Sequence, residues 1–339
     1  MAEISEYKAS SGPSDANATP NMQPKDPVKE YLLEHLPIYR ELCELRRQGW
    51  QTEAGDTHFQ KQHQRADNAD AKGKKVFFSI MRDIGLELDK ATSILTIQGG
   101  GNSRPAILDL CMGPGGFSSA ALYRNPFALV RAITLLAGEM GTPASSISAS
   151  HPEAASFSFD RPFLEQTFDL VFCDGQVLRT HERLEGESTG KKSEASRLLT
   201  AQLVLALQRI RSGGTMVILL HKADAWRSVF LMYTFATFSD SVELFKPRRA
   251  HGSPSLFYLI AKGVRPEREA TVKAVRRWKE KWTIATFGVG GAGEDGLGDE
   301  ELEVVQSGGE DSEEKVTKIV QPVFAVQAEA LKRAPWMRI

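Results

Sequence analysis

Between Ile107 and Ile260, short apolar runs alternate with longer segments that favour helices. The first run, Ala106 to Leu110, is aliphatic, is too short for a stable helix, and lies between Pro105 and a cluster of glycines. These features predict a buried parallel strand. Chains that alternate strands and helices place the helices on both faces of a sheet. The sequence therefore predicts an α/β fold with a doubly wound, mostly parallel central sheet and flanking helices.

Further segments lie before this core. Residues 1–27 are polar and rich in Ser, Ala, Asn and Pro, and they predict a disordered tail without a signal peptide or membrane anchor. Residues 28–75 predict a helical N-terminal extension, with one or two amphipathic helices interrupted at Pro37 that cover or flank the core. The polar stretch 51–75 is either a basic helix that approaches a substrate phosphate or a solvated helix face. The core domain is predicted over residues 76–263.

Residues 264–339 predict a C-terminal extension. Pro266 to Trp282 has the pattern of a basic amphipathic helix, which either packs a tryptophan on the core or offers a phosphate-binding face. Packing is the simpler interpretation. Gly288 to Glu314 is acidic and glycine-rich, which predicts a flexible loop. The remaining tail predicts one more helix, broken near Pro322 and Pro335.

Composition adds little to this picture. The formal net charge is -1, so any RNA-binding surface has to be a local basic patch. The three cysteines, Cys43, Cys111 and Cys173, lack metal-ligand spacing, so no metal site is predicted. Small buried thiols of this kind indicate a reducing compartment, and we expect an intracellular protein of the cytoplasm or nucleus. No stretch is long and apolar enough to span a bilayer, and no pattern predicts an oligomeric state.

The turn after the first strand carries the clearest chemical signal. Gly113, Pro114, Gly115 and Gly116 force a tight turn, and Phe117 to Tyr123 predicts the helix that follows it. Glycine lets the backbone approach a ligand, while the exposed amides of a helix N-terminus attract a carboxylate. The turn therefore predicts a site for a nucleoside cofactor such as S-adenosylmethionine, whose amino-acid end carries a carboxylate. A purely structural turn is the alternative.

Four segments follow one another in an order and spacing typical of one family. They are Asp109-Leu110-x-x-x-Pro114-Gly115-Gly116-Phe117, Thr167 to Gly175, Gln202 to Val217, and Ser255 to Leu259. Together they resemble the motifs of the FtsJ-like ribose 2′-O-methyltransferases. The resemblance implies a Rossmann-like, S-adenosylmethionine-dependent methyltransferase fold. It also implies an RNA ribose hydroxyl as the acceptor.

The resemblance assigns the cofactor contacts as well. Thr134 falls where such proteins usually have an acid that holds the cofactor ribose, and Asp160 falls where an Asp contacts adenine. A loop Asp that caps a turn is the alternative for Asp160. Asp174 is expected at the same edge of the sheet. The residues expected around the methionine end are Asp109, which supports the turn, and Gly113, Pro114, Gly115, Gly116 and Phe117.

Catalysis in this family uses a Lys-Asp-Lys-Glu tetrad that deprotonates or orients the ribose hydroxyl. Asp174 matches the Asp and ends a strand at the carboxyl edge, where such sheets bind ligands. The other three positions fall at Ser79, Leu219 and Leu256. Lys74 and Lys75 lie one helical turn before Ser79. The chain therefore departs from the family pattern at three of its four catalytic positions.

His221 is a candidate to replace the missing base. Because side chains alternate along a strand, His221 shares a face with Leu219 and lies one step nearer the carboxyl edge. A neutral imidazole beside Asp174 can accept a proton from a hydroxyl near neutral pH. Lys222, on the other face, is the second candidate because its stem is long and flexible. A strand-end histidine without a catalytic role is the alternative.

A basic loop precedes the last strand. Its cations, Lys246, Arg248 and Arg249, are predicted to bind substrate phosphate. Three functions stay open: methylation of an RNA ribose, methylation of a hydroxyl or nitrogen of a small molecule, and a non-catalytic role in cofactor or partner binding. The intact glycine turn favours the first two. Leu219 and Leu256 favour the third.

Overall fold

The computed structural model describes the sheet, most of the helices that cover it, and parts of both extensions. Thr134, Asp160 and nearly all of the predicted N-terminal tail lie outside the described residues, as do residues 288–308 of the predicted acidic loop. The described residues are 26–50, 54–55, 57–58, 61, 71–97, 104–133, 162–176, 188–287 and 309–337.

The described strands form one six-stranded mixed sheet. Its order is β2-β1-β3-β4-β6-β5, in which β1 to β4 are parallel and β6 is antiparallel to both of its neighbours. The predicted mostly parallel α/β sheet is confirmed. The bounds are β1 (Ala106–Leu110), β2 (Leu129–Ile133), β3 (Phe168–Cys173), β4 (Ile210–His221), β5 (Ser241–Phe245) and β6 (Leu256–Val264).

A proline sets the boundary between the first two helices. Leu36 is extended at φ -119° and ψ 97°, because the residue before a proline avoids helical geometry, and this separates α1 from α2. The boundary predicted at residue 76 falls inside α3. The bounds are α1 (Pro27–His35), α2 (Pro37–Trp50), α3 (Ala71–Thr92), α4 (Gly116–Arg124), α5 (Ser188–Leu207), α6 (Trp226–Ala236), α7 (Glu269–Phe287) and α8 (Gly309–Lys332), followed by a 3₁₀ turn at Pro335–Met337.

Side chains of the central strands point alternately to the two faces of the sheet, and each face carries an apolar layer. On one face, Val217 and Ile260 pack with α3 and α4. On the other face, Ile218 and Leu259 pack with helices that include α2, α5, α7 and α8. Both extensions therefore share the apolar core of the sheet. None of the helices in the described part of the chain is long and apolar enough to cross a membrane.

The C-terminal extension corrects two predictions and bears out a third. Trp278 is 5% exposed and stacks at 6.1 Å on Phe235, so α7 packs its tryptophan on the core as predicted. The predicted break at Pro322 is wrong, since α8 continues through it. Val320 and Phe324, on either side of Pro322, are fully buried, and their burial offsets the cost of about 3 kcal/mol of an internal proline. Because α8 begins at Gly309, the predicted loop also ends earlier than residue 314.

Candidate functional site

The turn between β1 and α4 leaves open space beside Gly115. Gly115 has φ +98°, in the left-handed region that favours glycine, and it precedes the first residue of α4. Among the described residues, a Cβ at this position would have only the Met112 side chain within 4 Å, at 3.7 Å. The backbone of the turn is thus accessible at Gly115. This is the geometry that a ligand needs to approach helix amides closely.

Glycine is required at position 116 for a different reason. A Cβ at Gly116 would lie 2.5 Å from the Cβ of Met81 and 2.6 Å from the amide nitrogen of Arg82. One turn further along, a Cβ at Gly85 would lie 2.9 Å from the Cβ of Ala120. These two glycines let α3 pack closely against α4. The sequence pattern alone did not distinguish this packing glycine from its neighbour Gly115.

Asp109 joins the end of β1 to the first turn of α4. It is 2% exposed, and the Ser118 hydroxyl donates a hydrogen bond of 2.5 Å to its Oδ2. Burial raises the pKa of this carboxyl to about 6. The amides of Cys111 and Met112 both donate to the Ile133 carbonyl, at 2.8 and 3.0 Å. The turn is therefore held from both sides, with the end of β2 against it.

The raised pKa of Asp109 predicts a pH effect on stability. Between its unfolded pKa of about 4 and its folded pKa of about 6, the folded state holds a proton that the unfolded state has released. The free energy of unfolding therefore falls as pH rises through this window, by about 2 to 3 kcal/mol. Asp109→Asn removes this loss, and urea unfolding at pH 4, 5, 6 and 7 measures the difference. Equal pH dependence in both proteins would contradict the prediction.

Asp174 follows β3 at the carboxyl edge of the sheet. The residue is half-buried, and the pKa of its carboxyl is raised well above the usual range, first by desolvation and then because Asp109 lies close by. The Tyr258 hydroxyl donates to its Oδ1 at 3.4 Å. The next residue is also fixed, since the Gly175 amide donates to Gln202 Oε1 at 2.9 Å and Gln202 Nε2 donates to the Gly175 carbonyl at 3.3 Å.

Tyr258 and Gln202 were not predicted as site residues. Gln202 is 4% exposed and begins an otherwise apolar helical run, and a buried polar side chain in such a run was an available signal. Tyr258 is 1% exposed and faces Phe117, with the ring centroids 5.6 Å apart. Its hydroxyl reaches Asp174 only because β6 inserts beside β4, which the sequence alone did not indicate.

Apolar side chains occupy two positions at which the resemblance leads us to expect charged groups. Leu219 is 6% exposed, pairs with Tyr258 across β4 and β6, and belongs to the same apolar cluster as Phe117. Leu256 packs against this cluster. Ser79 is exposed on α3, where its hydroxyl donates to the Lys75 carbonyl at 3.1 Å. A lysine at Leu219 would therefore have to enter a closed apolar environment.

His221 ends β4 and is exposed at the carboxyl edge, on the same face as Leu219. Its charge acts on His251, whose pKa is lowered to about 4 by burial, by Lys246 and by His221. The pKa of Asp174 is instead set by burial, Asp109 and Tyr258. A direct pair of His221 with Asp174 stays a prediction. Lys222 is exposed at φ +56°, and its amide donates to the Ser255 carbonyl at 2.9 Å.

The β5–β6 loop, residues 246–255, also lies at this edge. Arg248 and Arg249 are exposed, and the Arg248 amide donates to Glu87 Oε1 of α3 at 2.9 Å. Lys246 is different: it is 4% exposed, and burial lowers its pKa to about 7. Its Nζ donates to the carbonyls of His251, Pro254 and Leu256 at 2.9, 2.6 and 2.8 Å. The prediction that Lys246 binds substrate phosphate is therefore corrected, because its three N–H groups already have acceptors in the loop and at the first residue of β6.

The structure thus brings Asp109, the glycine turn, Asp174 and His221 to one edge of the sheet. Within the described ranges, no group of three or more His, Cys, Asp or Glu side chains is arranged to hold a metal ion. The charged side chains at this edge belong to the β5–β6 loop and to residues at the ends of strands. The arrangement offers an open backbone turn beside a buried carboxyl.

Known proteins are similar in sequence to part of this chain. Two relatives from Caenorhabditis briggsae are a cap-specific mRNA (nucleoside-2′-O-)-methyltransferase 1A, 26% identical over 187 residues, and an inactive cap-specific mRNA (nucleoside-2′-O-)-methyltransferase 1B, 27% identical over 188 residues. Each match covers 49% of this chain but only 21% and 22% of the relative, so the chain spans about a fifth of their length.

A solved structure also matches. It is a ribosomal RNA methyltransferase from Plasmodium falciparum, 18% identical, with a TM-score of 0.35 over 54% of this chain and 96% of that one. The family described as FtsJ-like methyltransferase matches residues 86–264, which are more than half of the chain and contain all six described strands. The chain therefore belongs to the FtsJ-like methyltransferase family.

Proposed function

We propose that this chain binds S-adenosylmethionine at the turn between β1 and α4 and methylates a ribose hydroxyl of RNA. The observation that carries the proposal is the geometry of Gly115, whose left-handed backbone and open Cβ side expose the start of α4. A carboxylate is favoured there by helix amides and by the helix dipole. Asp109, which hydrogen-bonds Ser118, would hold this turn in place.

The residues fit the cofactor at one end of the site. The amides at the start of α4 would hold its carboxylate, and Asp174 would lie near its reactive end at the carboxyl edge of β3. When bound, S-adenosylmethionine supplies an electrophilic methyl group. The chain itself must place a hydroxyl near that group and remove the proton of the hydroxyl.

His221 is the side chain best placed to take that proton. It is exposed at the end of β4, two residues beyond Leu219, on the strand next to the one that leads to Asp174. A neutral imidazole can accept a proton from a hydroxyl at a ring nitrogen. Asp174 then contributes a hydrogen-bonding carboxyl that Tyr258 orients.

RNA is the acceptor that the surroundings favour. Arg248 and Arg249 are exposed cations on the β5–β6 loop at the same edge, and phosphate contacts of this kind position a nucleic acid without reading its sequence. The relatives named for mRNA cap and ribosomal RNA methylation agree with this choice. A small-molecule acceptor would not need these two cations.

We expect His221→Gln to abolish methyl transfer while leaving the affinity for S-adenosylmethionine unchanged. Glutamine keeps a polar side chain of similar length but cannot accept the proton, and the loss of a general base typically lowers the rate by 10² to 10⁴-fold. Transfer of labelled methyl groups to capped and uncapped RNA measures the effect. His35→Gln, at an exposed histidine of α1, is the matched control. Full activity of His221→Gln would remove His221 from the mechanism.

A second function, binding of the cofactor without catalysis, is favoured by the apolar positions. Leu219 and Leu256 replace charged groups of the family tetrad, and a homologous protein is named as inactive. The same assays separate the two functions. Saturable binding of S-adenosylmethionine without methyl transfer to any RNA tested would support the binding function, whereas turnover that depends on His221 would support the enzyme.

A further inference from the structure

We propose that the two extensions position the β5–β6 loop for the acceptor, with Arg46 of α2 and Gln327 of α8 as the positioning residues. The proposal rests on the proposed function, because it assigns a role to residues next to that same site. Both residues lie outside the segment 86–264 that matches the family. The extensions would then be part of the acceptor site as well as a covering layer.

The place of the loops makes this possible. The segment after β4 and the β5–β6 loop both begin at carboxyl ends of strands, and the antiparallel pairing of β6 with β4 brings them to the same edge as the glycine turn. Asp224 lies three residues beyond His221, in the segment after β4. Ser253 lies four residues beyond Arg249, in the β5–β6 loop. Movement of either segment would displace a proposed site residue.

A chain of buried and partly buried hydrogen bonds links these segments to the extensions. Tyr39 of α2 donates to Asp224 Oδ2 at 2.9 Å, and Arg46 Nη1 lies 3.2 Å from the same oxygen. Arg46 Nη2 donates to Gln327 Oε1 at 2.8 Å. Gln327 Nε2 then donates to the Ser253 carbonyl at 2.8 Å. Gln327, which is 3% exposed, thereby connects an arginine on one side with the loop backbone on the other.

Close packing restricts the same loop. A Cβ at Gly252 would lie 3.0 Å from the Cβ of Ala330 on α8, so the loop backbone lies directly on this helix. Helices α2 and α8 are themselves joined, since Tyr39 faces Phe324 with ring centroids 4.9 Å apart and Lys332 pairs with Glu41 at 2.5 Å. The two helices therefore form one layer against which the loop is held.

Gln327 has two separable functions, which makes the proposal testable. Its oxygen accepts from Arg46, and its nitrogen donates to the Ser253 carbonyl. In Gln327→Glu, the carboxylate keeps the first bond and strengthens it with charge, but it cannot donate to the carbonyl. Gln327→Met removes both bonds at similar volume. Gln321→Met, at an exposed glutamine of the same helix, is the matched control.

Hydrogen exchange of the full-length chain at pH 8, read by mass spectrometry, measures the loop directly. We expect amides of residues 248–253 to exchange at least tenfold faster in Gln327→Glu and Gln327→Met than in the wild type or Gln321→Met. Amides of the glycine turn should exchange at wild-type rates. Exchange of the loop within twofold of the wild type in both Gln327 variants would overturn the proposal.

Binding measurements on the same variants separate positioning from folding. We expect Gln327→Glu to weaken the affinity for a capped RNA oligonucleotide about tenfold and to leave the affinity for S-adenosylmethionine unchanged. Equal weakening of both affinities would mean a general loss of structure and would also overturn the proposal. If the wild type bound S-adenosylmethionine but transferred no methyl group, the proposed function would fail, while the exchange result would still decide whether Gln327 holds the loop.

Discussion

Gly115→Arg is expected to abolish binding of S-adenosylmethionine while the protein stays folded. In the part of the chain that the structure describes, Gly115 has only the Met112 side chain near the position of a Cβ, so an arginine can be accommodated and would project into the space beside the turn. It would fill the space that a bound ligand needs. A non-glycine residue in the left-handed region costs about 1 to 2 kcal/mol, which a domain of this size tolerates. Calorimetric titration with S-adenosylmethionine and S-adenosylhomocysteine measures the loss.

Gly213 provides the matched control for this change. It has φ +84°, a Cβ added there would have no described residue within 4 Å, and it lies in β4 near the opposite edge of the sheet. Gly213→Arg therefore adds the same charge and a similar backbone strain far from the turn. We expect it to bind S-adenosylmethionine like the wild type. Saturable binding by Gly115→Arg, or equal loss in both variants, would contradict a cofactor site at Gly115.

The second large effect is expected from Lys246→Met. Methionine fills a similar volume but leaves the carbonyls of His251, Pro254 and Leu256 without their shared donor. Burying an unsatisfied polar group costs about 1 to 3 kcal/mol. In this variant, three carbonyl groups lose their hydrogen-bond donor at once. We therefore expect the free energy of unfolding to fall by about 3 kcal/mol or more. Chemical denaturation, followed by circular dichroism at pH 6.5, measures the change.

Lys90→Met is the control for the loss of a lysine. Lys90 is exposed on α3, and exposed substitutions usually change stability by about 0.5 kcal/mol or less. A fall of less than 1 kcal/mol in Lys246→Met would mean that the loop carbonyls find other donors. If Lys246 instead bound substrate phosphate, the substitution would weaken RNA binding with stability unchanged. This outcome would support the prediction from the sequence that Lys246 binds substrate phosphate.

Local chemistry made much of the fold and part of the site predictable. The aliphatic run Ala106 to Leu110 cannot form a stable helix, and the glycines that follow it demand a turn, so β1, the turn and α4 could be placed from residues alone. Pro37 separates two helices because of its steric effect on Leu36. The position of Asp174 at the end of a strand follows from the same alternation of apolar runs.

The sequence by itself thus determined the family, the mostly parallel sheet and the glycine turn, since motif spacing, the alternation of apolar runs with helical segments and the glycine cluster can all be read along the chain. Tertiary structure decided what each polar residue does. Lys246 turned inward because three loop carbonyls meet at its ammonium group, and Gly116 serves packing because α3 lies against it. Gln327 reaches Ser253 across 74 residues of chain. Such contacts depend on how elements that are distant in the chain pack together. A local sequence pattern therefore does not predict which polar side chains are buried or which partners they bind.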